Sequence, residues 1–541
     1  MTNDKPVVLM PEDVQRILGK DAQRNNILAA KMVSDVVKTT LGPKGMDKML
    51  VSPTNDITVT NDGVTILEEM QIEHPAAKMM VDISKTQDSE VGDGTTTVVM
   101  LAGKLLENAE TLLDKKIHPT IIVKGYRMAA EKAQQILYDI TLKITPQDED
   151  ILRQIAMTAM TGKGAEVLKE KFSEIVVNAI KQIQNNGDVD LNDIKVEKAK
   201  GNGVEDTELI SGLVLDKEKV SVDMPKVIRE ARIALVDFPL ELKNPEIDTK
   251  ISISSPEQLQ AFLEQEERTI REMIEKIKFS GTNVIFCQKG IDDFAQYLLS
   301  KAGIYACRRV ARSDMEKLAK ATGGKIVSSL NELDASELGN AEVVEGVRRG
   351  DDSLTYVRGC RNPKALTILI HGGTEHVIDE IERALKDGLG VVASALKSGL
   401  VVPGGGAIEV EIARRLRHFG QSLSGREQLA VEEFANALEF IPTTLAENAG
   451  MDPIDVLTEL TATHDSGDKN IGLNLFENKI GNVLEARIIE PYKVKSQAIQ
   501  SASEVAVMIL RIDDVIASSG GKSGGASMPG GMPPYGGVGL E

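Results

Sequence analysis

Apolar residues recur at helical spacing through most of the first 183 positions. From Glu12 to Thr40, Ile17, Ile27, Leu28, Met32, Val33, Val36 and Val37 fall largely on one stripe, which predicts a helix. Leu41-Gly42-Pro43 ends it, because Gly and Pro together break helical backbone. Ile57-Thr58-Val59-Thr60 reads as a short strand running into a turn at Asn61-Asp62-Gly63. A second strong helix follows Gly94: Thr95-Thr96-Thr97 open it, and Val98, Val99, Leu101, Leu105, Leu106, Ala109, Leu112 and Leu113 form its apolar face. Helical patterning continues from Tyr126 to Tyr138 and from Ile151 to Ile183.

The pattern changes near Asp216. From there to about Lys364, short β-prone runs such as Ile233-Ala234-Leu235-Val236, Val284-Ile285-Phe286-Cys287 and Lys325-Ile326-Val327 alternate with helical stretches at Phe294 to Lys301 and Asp314 to Ala321. That alternation predicts a compact α/β unit of about 150 residues. A polar excursion from Leu240 to Lys278 interrupts it and ends in a helix rich in Glu264, Glu266, Glu267, Arg268, Arg271, Glu272 and Lys276. Its charges suit a solvated face, and the stripe Phe262, Ile270, Met273, Ile274, Ile277 needs a partner. After Ile368-Leu369-Ile370, helical spacing returns through Glu375 to Lys397 and dominates to the end. From Gly520 the chain is Gly-rich and cannot bury enough apolar surface to order itself, so a flexible tail is expected.

Composition narrows the function. The 541 residues carry 63 Lys and Arg against 82 Asp and Glu, a formal net charge of −19, which would repel nucleic acid and anionic membranes at long range. Aromatics are 3% and Trp is absent, so base-stacking platforms are not expected. Cys287, Cys307 and Cys360 are widely spaced, without a CxxC pair, and read as packed thiols in a reducing compartment. The N-terminus lacks the basic and apolar stretches of a signal peptide, and no apolar run is long enough to span a bilayer. A cytoplasmic protein is the expectation.

The chemistry concentrates in glycine-containing loops. Gly92-Asp93-Gly94-Thr95-Thr96-Thr97 puts two glycines and three hydroxyls where a helix exposes unpaired N–H groups, a seat for phosphate. Asp93 is a hard oxygen ligand suited to magnesium. A Thr-capped helix after a tight turn would look the same. Leu41-Gly42-Pro43-Lys44-Gly45, Asn61-Asp62-Gly63, Gly162-Lys163-Gly164 and Gly404-Gly405-Gly406 are further loops of this kind, each weak alone. No GxxxxGK[ST] or strand-linked GxGxxG occurs, which argues against P-loop and Rossmann sites. No HExxH or GxSxG is present, and the six histidines are scattered.

Taken in order, these segments resemble the group II chaperonins of the archaeal thermosome type. The matching stretches are TTLGPKGMDKML (Thr39 to Leu50), NDGVTIL (Asn61 to Leu67), HPAAKM (His74 to Met79), GDGTTT (Gly92 to Thr97), HPTIIVKGY (His118 to Tyr126), GGTEHVIDE (Gly372 to Glu380), GGGA (Gly404 to Ala407), SGREQLA (Ser424 to Ala430), TLAENAG (Thr444 to Gly450) and IDDVI (Ile512 to Ile516). The resemblance implies a multidomain, mainly α fold with an inserted α/β domain. It divides the chain into a split equatorial domain (1–145 and 404–519), an intermediate domain (146–215 and 368–403), an apical domain (216–367) with a helical lid near 240–278, and a tail (520–541).

By the same resemblance, Leu41, Gly42, Pro43, Gly94, Thr95, Thr96, Thr97, Lys163, Gly405, Gly472 and Glu490 would bind ATP, and Asp93 would hold Mg2+. Lys163 would sense the γ-phosphate, Asp387 would orient or deprotonate the attacking water, and Asp62 would assist. Such a site suits phosphoryl transfer, which needs charge neutralisation and a placed water more than covalent catalysis. Two positions depart from the family pattern: His371 stands where Arg is expected and Gly388 where Ala is expected. The implied partners are non-native proteins and identical or closely related subunits in two stacked rings, with neither nucleic acid nor membrane. The rival readings are a small-molecule ATP-dependent enzyme, for which no acceptor-binding residues stand out, and a nucleotide-independent scaffold, which the Gly/Asp/Thr loops disfavour.

Overall fold

The computed structural model describes residues 14–163, 168–184, 188–201, 203–241, 256–349, 352–361 and 363–518. The predicted tail from Gly520, the loop residue Gly164 and much of the 240–278 excursion lie outside them.

Both ends of the chain build one helical unit around the helix Thr95–Asp114. Val98, Val99, Met100, Leu101, Ala102, Leu105 and Leu106 are all buried, so this helix is apolar nearly all round and forms the centre of a bundle. Helices Gly19–Lys38, Pro75–Val91, Glu427–Asn448 and Tyr492–Leu510 pack against it. Tyr126, in helix Pro119–Ile140, donates its hydroxyl to Leu105 O at 2.7 Å and meets Phe434 edge-on at 5.7 Å. Residues 27–140 and 402–510 thus share one core.

The first predicted helix is corrected at its start. Val14–Leu18 is a strand, antiparallel to Asp514–Ser518, and the helix begins only at Gly19. The strand exists because its partner arrives from the other end of the chain, which local periodicity cannot register. Asn61-Asp62-Gly63 is likewise no hairpin turn: Asp62 caps a helix, Gly63–Glu69, accepting from Thr65 N at 3.1 Å. The stretch 151–183 is two helices, Glu149–Met160 and Lys169–Ile183, interrupted at Thr161-Gly162-Lys163 where glycine weakens helical backbone.

These two helices pack with Glu375–Ser398 and a small sheet into a middle unit with its own core. Strand Leu366–Gly372 lies parallel to Ile194–Lys200 and antiparallel to Glu208–Ile210. His371 is buried in it, its N–H donating to Thr207 Oγ1 at 3.2 Å. Gly388 is buried on the 375–398 helix, and a methyl there would lie 3.4 Å from Met160 Sδ and Val176 Cγ2, an ordinary contact. Gly388→Ala is therefore expected to stabilise the chain by about 1 kcal/mol. A higher urea midpoint at unchanged slope would show it.

The inserted unit is a seven-stranded mixed sheet. Tyr305–Cys307, Val284–Cys287 and Val227–Val236 run parallel, while Gly339–Arg349, Asp352–Arg358 and Gly212–Leu215 continue it antiparallel; Ile326–Val327 also pairs with Val227–Val236. Alternation along the strands feeds two cores: Ile233, Leu235 and Phe286 face the helix Arg312–Thr322, and Ala234, Val236 and Ile285 face Asp293–Lys301. Gly212–Leu215 pairs within this large sheet and Leu366–Gly372 within the small one.

The charged helix spans Pro256–Phe279. Ile270, Ile274 and Ile277 are buried on the sheet, so its last turns are core, whereas the Arg268–Glu272 pair further up is exposed. Cys287, Cys307 and Cys360 are buried free thiols; burial pushes them up to about 11, 12 and 11 respectively, so all stay protonated. No helix among the described residues is long and apolar enough to cross a membrane.

Candidate active site

The helical and middle units meet at a cavity of about 440 Å³, within the usual range for a small-molecule site. Its floor is the N-terminus of the 95–114 helix. Gly94 precedes that helix without a side-chain cap, so the N–H groups of its first turn are left for a ligand. Gln87 holds the preceding loop from behind, its Nε2 donating to Asp93 O at 2.8 Å and Val494 O at 3.2 Å. Thr95 Oγ1 donates to Asp62 Oδ1 at 3.2 Å, which ties the cap of the short helix to the floor.

Leu41, Gly42, Pro43, Asp62, Asp93, Gly94, Thr95, Thr96, Thr97, Lys163, Gly405 and Glu490 all line this cavity. Gly472 does not. It lies behind Gly405, where a methyl on it would come within 3.0 Å of Gly405 O, and Leu473 N donates to the same oxygen at 2.8 Å. Asp387 does not line it either. It is only 8% exposed and reaches the cavity through Lys163, whose Nζ donates to Asp387 Oδ2. The same ammonium lies 3.8 Å from Asp93 Oδ1.

One cation is therefore set among three carboxylates. Burial opposes the charge on Lys163, but Asp387, then Asp93 and Asp62, outweigh it and hold the ammonium above its ordinary range. Burial pushes the Asp387 carboxyl well up; Lys163 counters this, while Asp62 and Asp93 add to it. With all three carboxylates ionised the cluster carries two more negative charges than positive. No group of three or more His, Cys, Asp or Glu among the described residues is arranged to hold a metal alone. A magnesium ion fits this donor set only in company with phosphate oxygens, as it takes one or two carboxylates and its substrate's oxygens.

The helix that carries Asp387 meets the loop before the 95–114 helix by backbone contact. A methyl on Gly390, on the same helix, would come 2.8 Å from Gly92 Cα, and one on Gly92 would come 2.9 Å from Gly390 Cα. Only two glycines allow the 375–398 helix to approach this closely.

The far end of the cavity is apolar, lined by Ile441, Leu445, Leu473, Leu475 and Phe476. Beside them, Lys495 pairs with Glu409 and Glu490, each at 2.8 Å. Burial works against its charge, but the two glutamates win and raise it; Glu490 itself is pushed up by burial. Sequence reading missed Lys495 and Gln87, because an isolated polar residue on an otherwise ordinary helix carries no motif, and it gave Asn61 no role beyond its loop.

The hairpin that carries this apolar end, Ile471–Asn474 with Lys479–Asn482, is fastened by a buried acid. Glu411 accepts from Arg414 at 2.9 Å and Arg415 at 2.7 Å and meets His464 Nδ1 at 3.1 Å, while His464 Nε2 lies 2.8 Å from Ile471 O. Burial alone would raise the Glu411 carboxyl, but His464, Arg414 and Arg415 together hold it far below the usual range. Its folded value is thus depressed, so its stabilisation is complete above the unfolded value and is lost as pH falls through the folded one. Glu411→Gln is expected to cost about 3 kcal/mol at neutral pH. The gap from the parent should begin to close below about pH 4, which urea midpoints at two pH values would reveal.

Residues 33–519 match the model of a family described as the TCP-1/cpn60 chaperonin family. A thermosome subunit of Methanopyrus kandleri is 57% identical over 95% of both chains. A thermosome subunit beta of Archaeoglobus fulgidus is 56% identical over 98% of both, and a thermosome subunit of Pyrococcus abyssi 54% over 97% of both.

Proposed function

This chain belongs to the TCP-1/cpn60 chaperonin family, and from that premise we propose how its cavity hydrolyses ATP to drive a protein-folding cycle. It is a group II chaperonin, a molecular chaperone with ATPase activity. The phosphates of ATP take the N-terminus of the 95–114 helix, with Gly94, Thr95, Thr96 and Thr97 donating to them. Asp93 would hold Mg2+, which supplies charge neutralisation for the phosphates when bound. The adenosine end takes the apolar side, against Gly405 and Glu490, with Leu41, Gly42 and Pro43 closing the seat and Gly472 supporting Gly405 from behind.

Lys163 is the pivot. In this structure its ammonium is engaged by Asp387. A γ-phosphate offers it a competing partner, and as Lys163 turns to the phosphate, Asp387 is released. Burial and the neighbouring carboxylates make the freed Asp387 a better proton acceptor than an ordinary aspartate. It then orients a water for in-line attack and takes its proton, with Asp62 fixing the local geometry through Thr95 and Thr65. The middle unit follows Lys163 and Asp387 and swings the inserted sheet unit.

The assembly is two stacked rings of identical or related subunits in the cytoplasm, whose sheet units enclose a non-native protein beneath a lid near 240–278. Neither nucleic acid nor membrane is a partner. The observation that carries the reading is the single ammonium that joins Asp387 of the middle unit to Asp93 of the phosphate loop.

Electron microscopy of the purified particle with and without ATP tests it. Double rings that close with ATP, together with ATP-dependent recovery of a denatured client, are expected. A monomer, or a turnover that requires a small acceptor molecule, would overturn the reading.

A further inference from the structure

Asn61 has no part in the scheme above, yet it joins the two units at their most sensitive point. It follows the strand Ile57–Thr60 of the helical unit, is 6% exposed and lines the cavity. Its Nδ2 donates to Gly162 O at 2.5 Å, the carbonyl directly before Lys163 in the loop that ends helix Glu149–Met160. A carbonyl can only accept, so the amide nitrogen must face it and the side-chain oxygen must point elsewhere. That oxygen, Oδ1, is sequestered, with no hydrogen-bond partner among the described residues. A half-satisfied buried amide is a poor device for stabilising a fold, since the unpaired atom offsets what the paired one contributes. Its placement is better explained by where it holds the loop.

We propose that Asn61 is a positioning residue for ATP hydrolysis: it pins the Gly162-Lys163 backbone to the phosphate seat and so sets the place of the Lys163 ammonium between Asp387, Asp93 and the γ-phosphate. The side chain itself touches none of the reacting atoms. The neighbouring Asp62 is already committed to the helix cap and to Thr95, so one short segment registers both the floor of the seat and the loop above it. The inference rests on the role given to Lys163 in the preceding section.

The test is steady-state ATP turnover by the assembled particle with Asn61→Ala, Asn61→Asp, Lys163→Ala and the Asn61→Ala/Lys163→Ala double variant. Asn61→Asp keeps the shape and loses the donor, and it stands in if the alanine variant fails to assemble. Loss of the pin is expected to lower kcat about tenfold with KM within about twofold, as for a misplaced catalytic group. In the Lys163→Ala background the same change should add less than about twofold, because it acts through the residue already removed. A kcat within twofold of the parent for both Asn61 variants, or losses that multiply in the double variant, would overturn the proposal. If Lys163→Ala itself turns over normally, the assignment of Lys163 fails; if Lys163→Ala is inactive and the Asn61 variants are normal, only the present inference fails.

Discussion

Asp387→Ala is expected to lower ATP turnover by about 10³-fold or more while nucleotide still binds, because a group that places the water and takes its proton acts only in the transition state. Asp387 sits outside the cavity wall and is nearly all buried, so its removal leaves the phosphate seat and the apolar end intact. Lys163 keeps Asp93 at 3.8 Å and remains charged and available to the γ-phosphate. Titration with a fluorescent ATP analogue should therefore give an affinity close to the parent, while phosphate release all but stops. Normal phosphate release would remove Asp387 from the mechanism. Lost binding would instead make it part of the seat.

The second large effect is expected at Gly390, which touches no ligand. The Cβ of any other residue there would lie 2.8 Å from Gly92 Cα and 3.1 Å from Val91 O, and these are backbone atoms that cannot turn aside. Gly390→Val should push the 375–398 helix off the phosphate loop and destabilise the chain by about 2–3 kcal/mol. Since Asp387 rides on the same helix, turnover should fall about 10²-fold, as for displacement of a catalytic group by an ångström or so. Gly388, two residues away, is the internal contrast, since a methyl fits there and the expected sign is a gain. Equal behaviour of the two variants would show that the glycine contact does not position Asp387.

The long amphipathic helices and the glycine loop that opens the 95–114 helix were legible because their signals are local. Thr95 to Asp114 carries its own apolar pattern, and Gly92 to Thr97 carries its own chemistry. What could not be read depends on distant partners. Val14–Leu18 becomes a strand only because Asp514–Ser518 lies beside it. Asn61-Asp62-Gly63 looks like a turn until Thr65 supplies the N–H that Asp62 caps. Lys495 matters only once Glu409 and Glu490 are brought to it. The resemblance assigned Asp387 to the chemistry, but the geometry adds that it reaches the cavity through Lys163, which no spacing in the chain could express.

The antiparallel join of Val14–Leu18 with Asp514–Ser518 also orders events during synthesis. The sheet unit is contiguous and can condense while its C-terminal neighbours are still inside the ribosome. Glu490 and Lys495 are made long after Asp62 and Asp93, so in the proposed scheme a polypeptide that stops short of them lacks one side of the cavity.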